Sequence, residues 1–520
     1  MLSKLDGLGR LATFALILAA ALLLRLDTLP ISDVEFDESV YFLMAKSMVQ
    51  DHAPYTAIWD HKPPGIYAVY YLALSLFGVS TVSVRLFACL ATALSAFAAT
   101  EIYARLRPNS GWQRLLPALL VLVSFRKYGG EGANTEVFFV PAASYALLFL
   151  LSANAPDTAA TKRRLLLFFA GCAAGAAFWI KFNTILEIQI AGAFAVLWLD
   201  QTRPNRLTRV VEATSLAAMG FLAVALFVVL PFIATDNLHL LTSSVIDANV
   251  RHVGRRMGAL ATFTFVVEIV ETSLVLWTLS IAGLLARIGK GEDRPRERAF
   301  WFLLVWLLAA FASALAPGQP YLHYALETVV PLSLLASLVL AELFLSHLPS
   351  KRLALSAAAF LFLCAAGTNI LKLGTNLGRE LTSVVQQRSL CKVDTSRAVA
   401  EHILTSTHRE GPPTVYVVDA QPILYHLLDV VPPTKYAFPP FLLDPHFVRV
   451  TGSDARREVD RLLAQKPEFL VRRTDPLPVG AKMLAYIDKE VSDDYVVERT
   501  IHNVEVLHRV APQGIEVGKR

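Results

Sequence analysis

The feature that most constrains this 520-residue chain is its series of long uncharged apolar runs. Residues 11–24 read LATFALILAAALLL, residues 215–234 read SLAAMGFLAVALFVVLPFIA and residues 329–341 read VVPLSLLASLVLA. A helix needs about 20 such residues to cross the hydrocarbon core, and helices suit that setting because lipid offers backbone groups no partners. Similar runs recur through residue 372. A soluble protein of this length is about one quarter charged, whereas this chain is 18% charged and 55% hydrophobic, so the surplus apolar surface faces lipid.

The pattern predicts a polytopic α-helical membrane protein with about 11 transmembrane helices. They fall near 9–27, 83–104, 113–127, 136–153, 164–180, 183–199, 211–234, 262–286, 299–316, 324–346 and 353–372. The run 65–77 (GIYAVYYLALSLF) is too short to span and reads as an interfacial or re-entrant helix. Residues 1–26 carry Lys4 and Arg10 like a signal peptide, but the run ends in Leu-Arg-Leu-Asp instead of a small-residue cleavage site, which favours an uncleaved first span. The four cysteines (Cys89, Cys172, Cys364 and Cys391) contain no CxxC pair and suggest neither a disulfide framework nor a metal knuckle.

The short connections alternate in basic content. Lys4 and Arg10, Arg105 to Arg114, Lys162 to Arg164, Arg203 to Arg209, Arg287 to Arg298, and Lys351 with Arg352 form the set that the positive-inside rule puts in the cytoplasm. The net charge of +5 thus has a topological explanation, and no nucleic-acid partner is expected. The connections 28–82, 128–135, 235–261 and 317–323 then face the far side. These assignments give two domains: a transmembrane domain over 1–375, whose first outer loop is about 28–82, and a soluble extracytoplasmic α/β domain over 376–520. In the second, 414–419, 468–473, 495–501 and 504–510 read as strands, and 453–465 as an amphipathic helix with Asp454 near its start.

Ionisable groups concentrate on that outer face. The first outer loop holds Glu35, Asp37, Glu38, Asp60, His61 and Lys62. Charges are costly at mid-bilayer, so groups at span ends line wet cavities or protein interiors. Asp37 and Glu38 are candidate general bases; the competing reading makes Asp37 the cap of a helix over 38–50 with Glu38 favoured by its dipole. Pro63-Pro64 stiffens the segment that presents Lys62, a candidate phosphate-binding cation or an interfacial lysine reaching headgroups. Asn134 and Glu136, beside the glycines of 129–132, are candidates for positioning a sugar, as are Asp60, His61, His323 and Tyr324; the bland reading of 129–136 is a turn with Thr135 as helix cap. Arg251 and Arg255, in a basic outer loop that runs against the positive-inside rule, are candidates for an anionic head, or for ordinary lipid headgroups. His61, with His323, is a candidate metal ligand, although no ligand set is visible.

These residues resemble a known family. Phe36-Asp37-Glu38, Tyr41-x-x-x-Ala45, Trp59-Asp60-His61-Lys62-Pro63-Pro64, Gly78-x-Ser80 and Val84-Arg85-Leu86 are similar to the lipid-dependent GT-C glycosyltransferases. The resembling branch holds protein O-mannosyltransferases, the aminoarabinose transferase of lipid A and rhizobial lipopolysaccharide galacturonosyltransferases. Gly132-Ala133-Asn134-Thr135-Glu136 and His323-Tyr324 with Pro331 extend the similarity. It implies an inverting transfer, on the periplasmic face of a bacterial inner membrane, of a sugar from a polyprenyl-phosphate donor to a cell-envelope acceptor such as lipid A, lipopolysaccharide core or another glycolipid. Asp37 would deprotonate the acceptor, Lys62 with Arg251 or Arg255 would hold the departing lipid phosphate, and Glu136 would orient a substrate. In the aminoarabinose enzyme a carboxylate precedes the lysine and contributes to a metal site; here His61 stands there, which leaves a divalent metal an open question. The competing readings are a protein O-mannosyltransferase-like enzyme, differing only in acceptor, and a lipid or sugar transporter or flippase. The latter would want midplane charges and related halves; no internal repeat is visible.

Overall fold

The computed structural model describes residues 9–155, 158–199, 206–252, 257–287, 294–343, 394–407, 411–476 and 478–510. Helix α1 is Arg10–Leu23, α2 Phe36–Val49, α3 Gly65–Phe77, α4 Thr81–Leu106, α5 Leu116–Lys127, α6 Thr135–Ala153, α7 Ala160–Ile180, α8 Thr184–Phe194, α9 Arg206–Ala234, α10 Ala259–Thr272, α11 Leu274–Leu285, α12 Arg294–Leu315 and α13 Leu326–Leu343.

Six helices among the described residues are long and apolar enough to cross a membrane: Thr81–Leu106, Thr135–Ala153, Ala160–Ile180, Leu207–Ala234, Glu297–Leu315 and Leu322–Glu342. A seventh candidate is broken: α10 and α11 meet at 94°, because the backbone leaves the helical region at Ser273 (φ −135°, ψ 46°). The expected spans at 9–27, 113–127 and 183–199 appear as shorter helices, the second only 12 residues long behind a 3₁₀ turn over Gly111–Leu115. The expected span at 353–372 lies outside the described residues. The last of the described crossings is the hub of the bundle, its apolar window wholly buried, while only 11% of the apolar window of Leu207–Ala234 is buried, which leaves its side chains to face lipid.

Close backbone contacts set the end of the bundle that faces the sheet domain. Helix α3, the short run after Pro64, begins at Gly65, where a Cβ would lie 2.5 Å from the Trp179 carbonyl oxygen of α7; only glycine fits there. Arg25, just past α1, donates to the carbonyls of Gly130 and Glu131 and to Thr92, which ties the 128–135 connection to the first span. Arg126 pairs with Asp27 from the other side. The loop that carries Asn134 and leads into α6 is thereby fixed.

The C-terminal region holds a four-stranded sheet in the order β1-β2-β4-β3, with β1 Val415–Asp419, β2 Phe469–Arg473, β3 Tyr495–Ile501 and β4 Val504–Arg509. β1 and β2 run parallel, so a crossover is required; it includes the amphipathic helix α15 (Ala455–Ala464), whose first turn is capped by Asp454 through the Arg457 amide. β3 and β4 form a hairpin across His502, which takes a left-handed φ of 52°. Alternate strand residues point to opposite faces: Tyr416, Val418 and Leu470 pack on α15 and on α16 (Ala481–Val491), while Val415, Val417, Phe469 and Val471 pack toward α14 (Thr395–Ser406). Asp394 caps α14 and also accepts from the amide and hydroxyl of Ser32 at 2.7 Å each, joining the sheet domain to the first outer loop.

Candidate active site

The sequence places Asp37 and Glu38 together, but the fold separates them. Helix α2 starts two residues earlier than expected, with Glu35 at the cap position and Asp37 in its first turn. Asp37 is half-buried and accepts from the Tyr41 hydroxyl at 3.3 Å, one helical turn on. Glu38 points the other way, into the protein, where Arg85 of α4 pairs with it at 2.9 Å. Arg85 also donates to the carbonyls of Thr28 and Ile31. Glu38, expected beside Asp37 as a catalytic carboxylate, therefore serves to anchor α2. Its residue type and position were legible; its direction depended on a partner 47 positions away.

Lys62 sits on the segment between α2 and α3, held from three sides. The Tyr55 hydroxyl donates to the Lys62 carbonyl at 2.8 Å, Asn249 donates to the His61 carbonyl at 2.7 Å, and the Trp59 amide donates to Lys435 of the soluble region at 2.8 Å. Asp60 ties its segment to α3, accepting from the His61 amide at 2.7 Å and from the Tyr67 hydroxyl of α3 at 2.9 Å. Burial acts to lower the Lys62 pKa, but Tyr324, Asp37, Asp60 and Glu136 around it outweigh burial and raise it. The lysine is therefore a fixed cation.

Asp37 and Lys62 open on one cavity of about 830 Å³. From the helical bundle and its loops it is also lined by Glu35, Asp60, His61, His252, Tyr321, His323 and Tyr324, and from the C-terminal sheet domain by Asp419, Gln421, Phe438, Asp444, His446 and Arg473. Of the residues singled out from the sequence, Asp37, Lys62, Asp60, His61, His323 and Tyr324 meet there. Asn134 and Glu136 stand behind the wall. Asn134 is buried and donates to Glu35; Glu136 is fully buried, paired with Lys181 of the α7–α8 turn and accepting from Thr135 at 2.8 Å. Direct contact with a sugar, expected for both, gives way to support of the wall. Arg251, expected on a phosphate, donates instead to the Val450 carbonyl at 3.1 Å; Arg255 lies outside the described residues.

Glu35 is the residue that sequence reasoning left without a role. It lines the cavity, accepts from Asn134 and stands 3.5 Å from His323 Nδ1. Burial, with the nearby carboxylates of Asp37, Glu136 and Glu38, pushes its pKa up to about 8 against the opposing hydrogen bond from Asn134. Glu35 is then neutral at pH 7 and able to donate a hydrogen bond. The one sequence signal was its position two residues before Asp37, which could equally be read as surface charge.

The histidines do not converge on a metal. Among the described residues, no three His, Cys, Asp or Glu side chains are disposed to hold one. His323 turns toward Glu35, whereas His61 packs against His252 (4.9 Å between ring centres), and His252 Nδ1 lies 3.1 Å from His446 Nε2. Burial, aided by the adjacent His61 and Lys62, drives the His252 pKa down to about 2. The tilted contacts of His61, His252 and His446 fit a packed junction between the loop and the sheet domain, and no chemical step is assigned to a metal.

Comparison with known proteins bears on what such a cavity belongs to. Residues 61–234, about a third of the chain, match the family model described as dolichyl-phosphate-mannose-protein mannosyltransferase. By structure, ArnT from Cupriavidus metallidurans bound to undecaprenyl phosphate aligns with 15% identity and a TM-score of 0.61, covering 96% of this chain and 98% of that one. This chain has the GT-C fold. The apo form of the same ArnT aligns similarly (16% identity, TM-score 0.59, 96% and 98% coverage). The archaeal oligosaccharyltransferase AglB from Archaeoglobus fulgidus, in complex with an inhibitory peptide and a dolichol-phosphate, aligns with 14% identity and a TM-score of 0.50, over 89% of this chain and 69% of that one. No curated protein matches by sequence. The GT-C architecture, of the ArnT and protein mannosyltransferase type, agrees with the resemblance drawn from the outer-loop motifs.

Proposed function

We propose that this protein is an inverting glycosyltransferase that moves a sugar from a polyprenyl-phosphate donor to a cell-envelope glycolipid or glycan on the outer face of the membrane. The observation that carries this reading is the meeting of Asp37 and Lys62 in one cavity between the helical bundle and the sheet domain. A fixed ammonium is suited to a lipid phosphate, where negative charge grows as the bond to the sugar breaks. Asp37 is suited to take the proton of the attacking hydroxyl. In the proposed step an acceptor oxygen forms a bond to the anomeric carbon from the face opposite the phosphate. The bond from that carbon to the phosphate oxygen breaks, the polyprenyl phosphate leaves with the electron pair, and Asp37 keeps the proton. No further reactant is needed. The likeness to a structure holding undecaprenyl phosphate supports the donor class.

The test is transfer from radiolabelled polyprenyl-phosphate sugars to envelope lipids by the purified protein in vesicles, with mass spectrometry of the product. Lys62→Ala is expected to lower donor use about 100-fold, with a matching loss of undecaprenyl phosphate binding; unaltered binding would remove Lys62 from the donor site. Glu35 supplies a pH signature. Because its pKa is raised, it is protonated below about pH 8. As pH climbs through that value, a second negative charge arrives beside Asp37 and opposes the developing phosphate charge. Transfer should therefore decline with rising pH around 8, and Glu35→Gln, which stays neutral, should flatten that limb. The stability contribution of the same group has the same sign: it is full below the ordinary value of 4.5 and lost as pH rises through about 8.

The family-model match favours a second reading, a protein O-mannosyltransferase-like enzyme. It differs in acceptor alone, and a labelled peptide product instead of a labelled lipid would select it.

A further inference from the structure

Resting on the reading of the cavity as a glycosyl-transfer site, we propose that the carboxyl ends of β1 and β2 in the soluble domain form its acceptor subsite, where Asp419, Gln421 and Arg473 hold neighbouring hydroxyls of a saccharide acceptor. In α/β sheets, ligands gather beyond the carboxyl ends of parallel strands. β1 and β2 are the parallel pair of this sheet; Asp419 and Arg473 are their last residues and Gln421 follows β1 by two. All three line the cavity that contains Asp37 and Lys62.

The local geometry is built for more than closing a sheet. The ladder slips between Val417 and Asp419, so that Asp419 is set against Arg472; such irregularities re-aim side chains beside sites. Asp419 is buried, and Arg473 Nη2 approaches both of its carboxylate oxygens at 3.3 Å, long for a charge-assisted bond. Arg473 Nε is buried without a hydrogen-bond partner, a state that is uncommon in folded proteins. The guanidinium carbon lies 5.5 Å from the centre of the Phe36 ring, one residue before Asp37. Gln421 reaches the same helix, its Oε1 accepting from Ser39 at 3.3 Å. The subsite is thereby pinned to the first turns of the helix that carries the proposed base.

The chemistry selects the ligand class. Asp419 offers acceptors and Arg473 offers donors side by side, which matches the paired hydroxyls of a sugar ring. The pair is close to neutral, so an isolated anion gains little from it. Phe36 and Phe438, meeting edge to face at 6.2 Å, add an apolar wall for the ring's CH face.

The experiment compares wild type with Arg473→Gln, Asp419→Asn and Gln421→Ala in vesicles. Undecaprenyl phosphate is the probe of donor-side binding, radiolabelled polyprenyl-phosphate sugars are the donors for transfer, and an envelope glycolipid extract, beside a mixed Ser/Thr peptide pool, is the acceptor. The expected result is unchanged undecaprenyl phosphate binding in all three variants. The glycolipid concentration for half-maximal transfer should rise at least tenfold in the Arg473 and Asp419 variants and severalfold in the Gln421 variant. Unaltered half-saturation overturns the subsite, as does labelled peptide in place of lipid, or a parallel loss of undecaprenyl phosphate binding, which would make these residues structural. A wild-type protein that neither binds undecaprenyl phosphate nor transfers sugar is the separate failure of the glycosyltransferase reading itself.

Discussion

Asp37→Asn is expected to lower transfer by about 10²–10⁴-fold, the range over which a positioned general base acts, while leaving the folded protein intact. The substitution keeps size and shape, and the Tyr41 hydroxyl at 3.3 Å can still donate to the amide oxygen. Asp37 is half-buried at the cavity wall and makes no direct ion pair among the described residues; it helps to keep Lys62 charged, but Asp60 and Glu136 stay in place to do so in the Asn variant. Folding and lipid binding should therefore survive. Binding of undecaprenyl phosphate separates this from a general defect: it should be retained in Asp37→Asn and lost in Lys62→Ala. Near wild-type turnover in the Asn variant would remove Asp37 as the base, and Glu35, the next carboxyl in the same cavity, would have to be tested in its place. The parallel substitution Glu38→Gln should act differently, through stability, because Glu38 is held by Arg85 at 2.9 Å inside the protein.

That contrast between neighbours explains what the sequence can and cannot disclose. Hydropathy is a sum over some 20 residues, so the membrane class was legible without coordinates, and the strands were legible from short β-rich runs bounded by turn residues. Asp37 and Lys62 were legible as a pair because one short connection carries both. Directions were not. Glu38 differs from Asp37 by one position, and helical geometry turns it about 100° away, toward an arginine that only the fold brings near. Asn134 and Glu136 lie beside the cavity in space, yet their side chains are spent on Glu35 and Lys181. Asp419 and Arg473 carried no local signal at all, since their meaning comes from strand ends that face a helix more than 380 positions earlier, as the Gln421 bond to Ser39 illustrates. The break at Ser273 inside the expected span 262–286 was not legible, since composition is nearly blind to a bend.

The largest structural effect is expected at Lys181, in the turn between α7 and α8. Its ammonium pairs with the fully buried Glu136 and lies 3.4 Å from the centre of the Tyr324 ring. Next to it Asn183 donates to Glu327 at 2.7 Å and to the Ser313 carbonyl at 3.0 Å, which ties the α7–α8 turn to α12 and the hub helix. Removing one member of a buried pair strands the other charge, at a cost of about 3–5 kcal/mol, whereas replacing both with well-packed apolar groups is often neutral. Lys181→Met should therefore lower the thermal midpoint sharply, and Glu136→Leu should do the same. The double variant should recover most of the loss, giving a coupling well above the error of a double-mutant cycle. Activity should not recover in step. Glu136 helps to keep Lys62 charged, and Tyr324 forms the cavity wall under Lys181, so the rescued protein would fold with an altered donor pocket. Thermal shift and undecaprenyl phosphate binding on the same four proteins decide it. Additive losses in stability would show that the two charges do not depend on each other. Full recovery of binding in the double variant would show that the pair supports the fold without setting the field at Lys62.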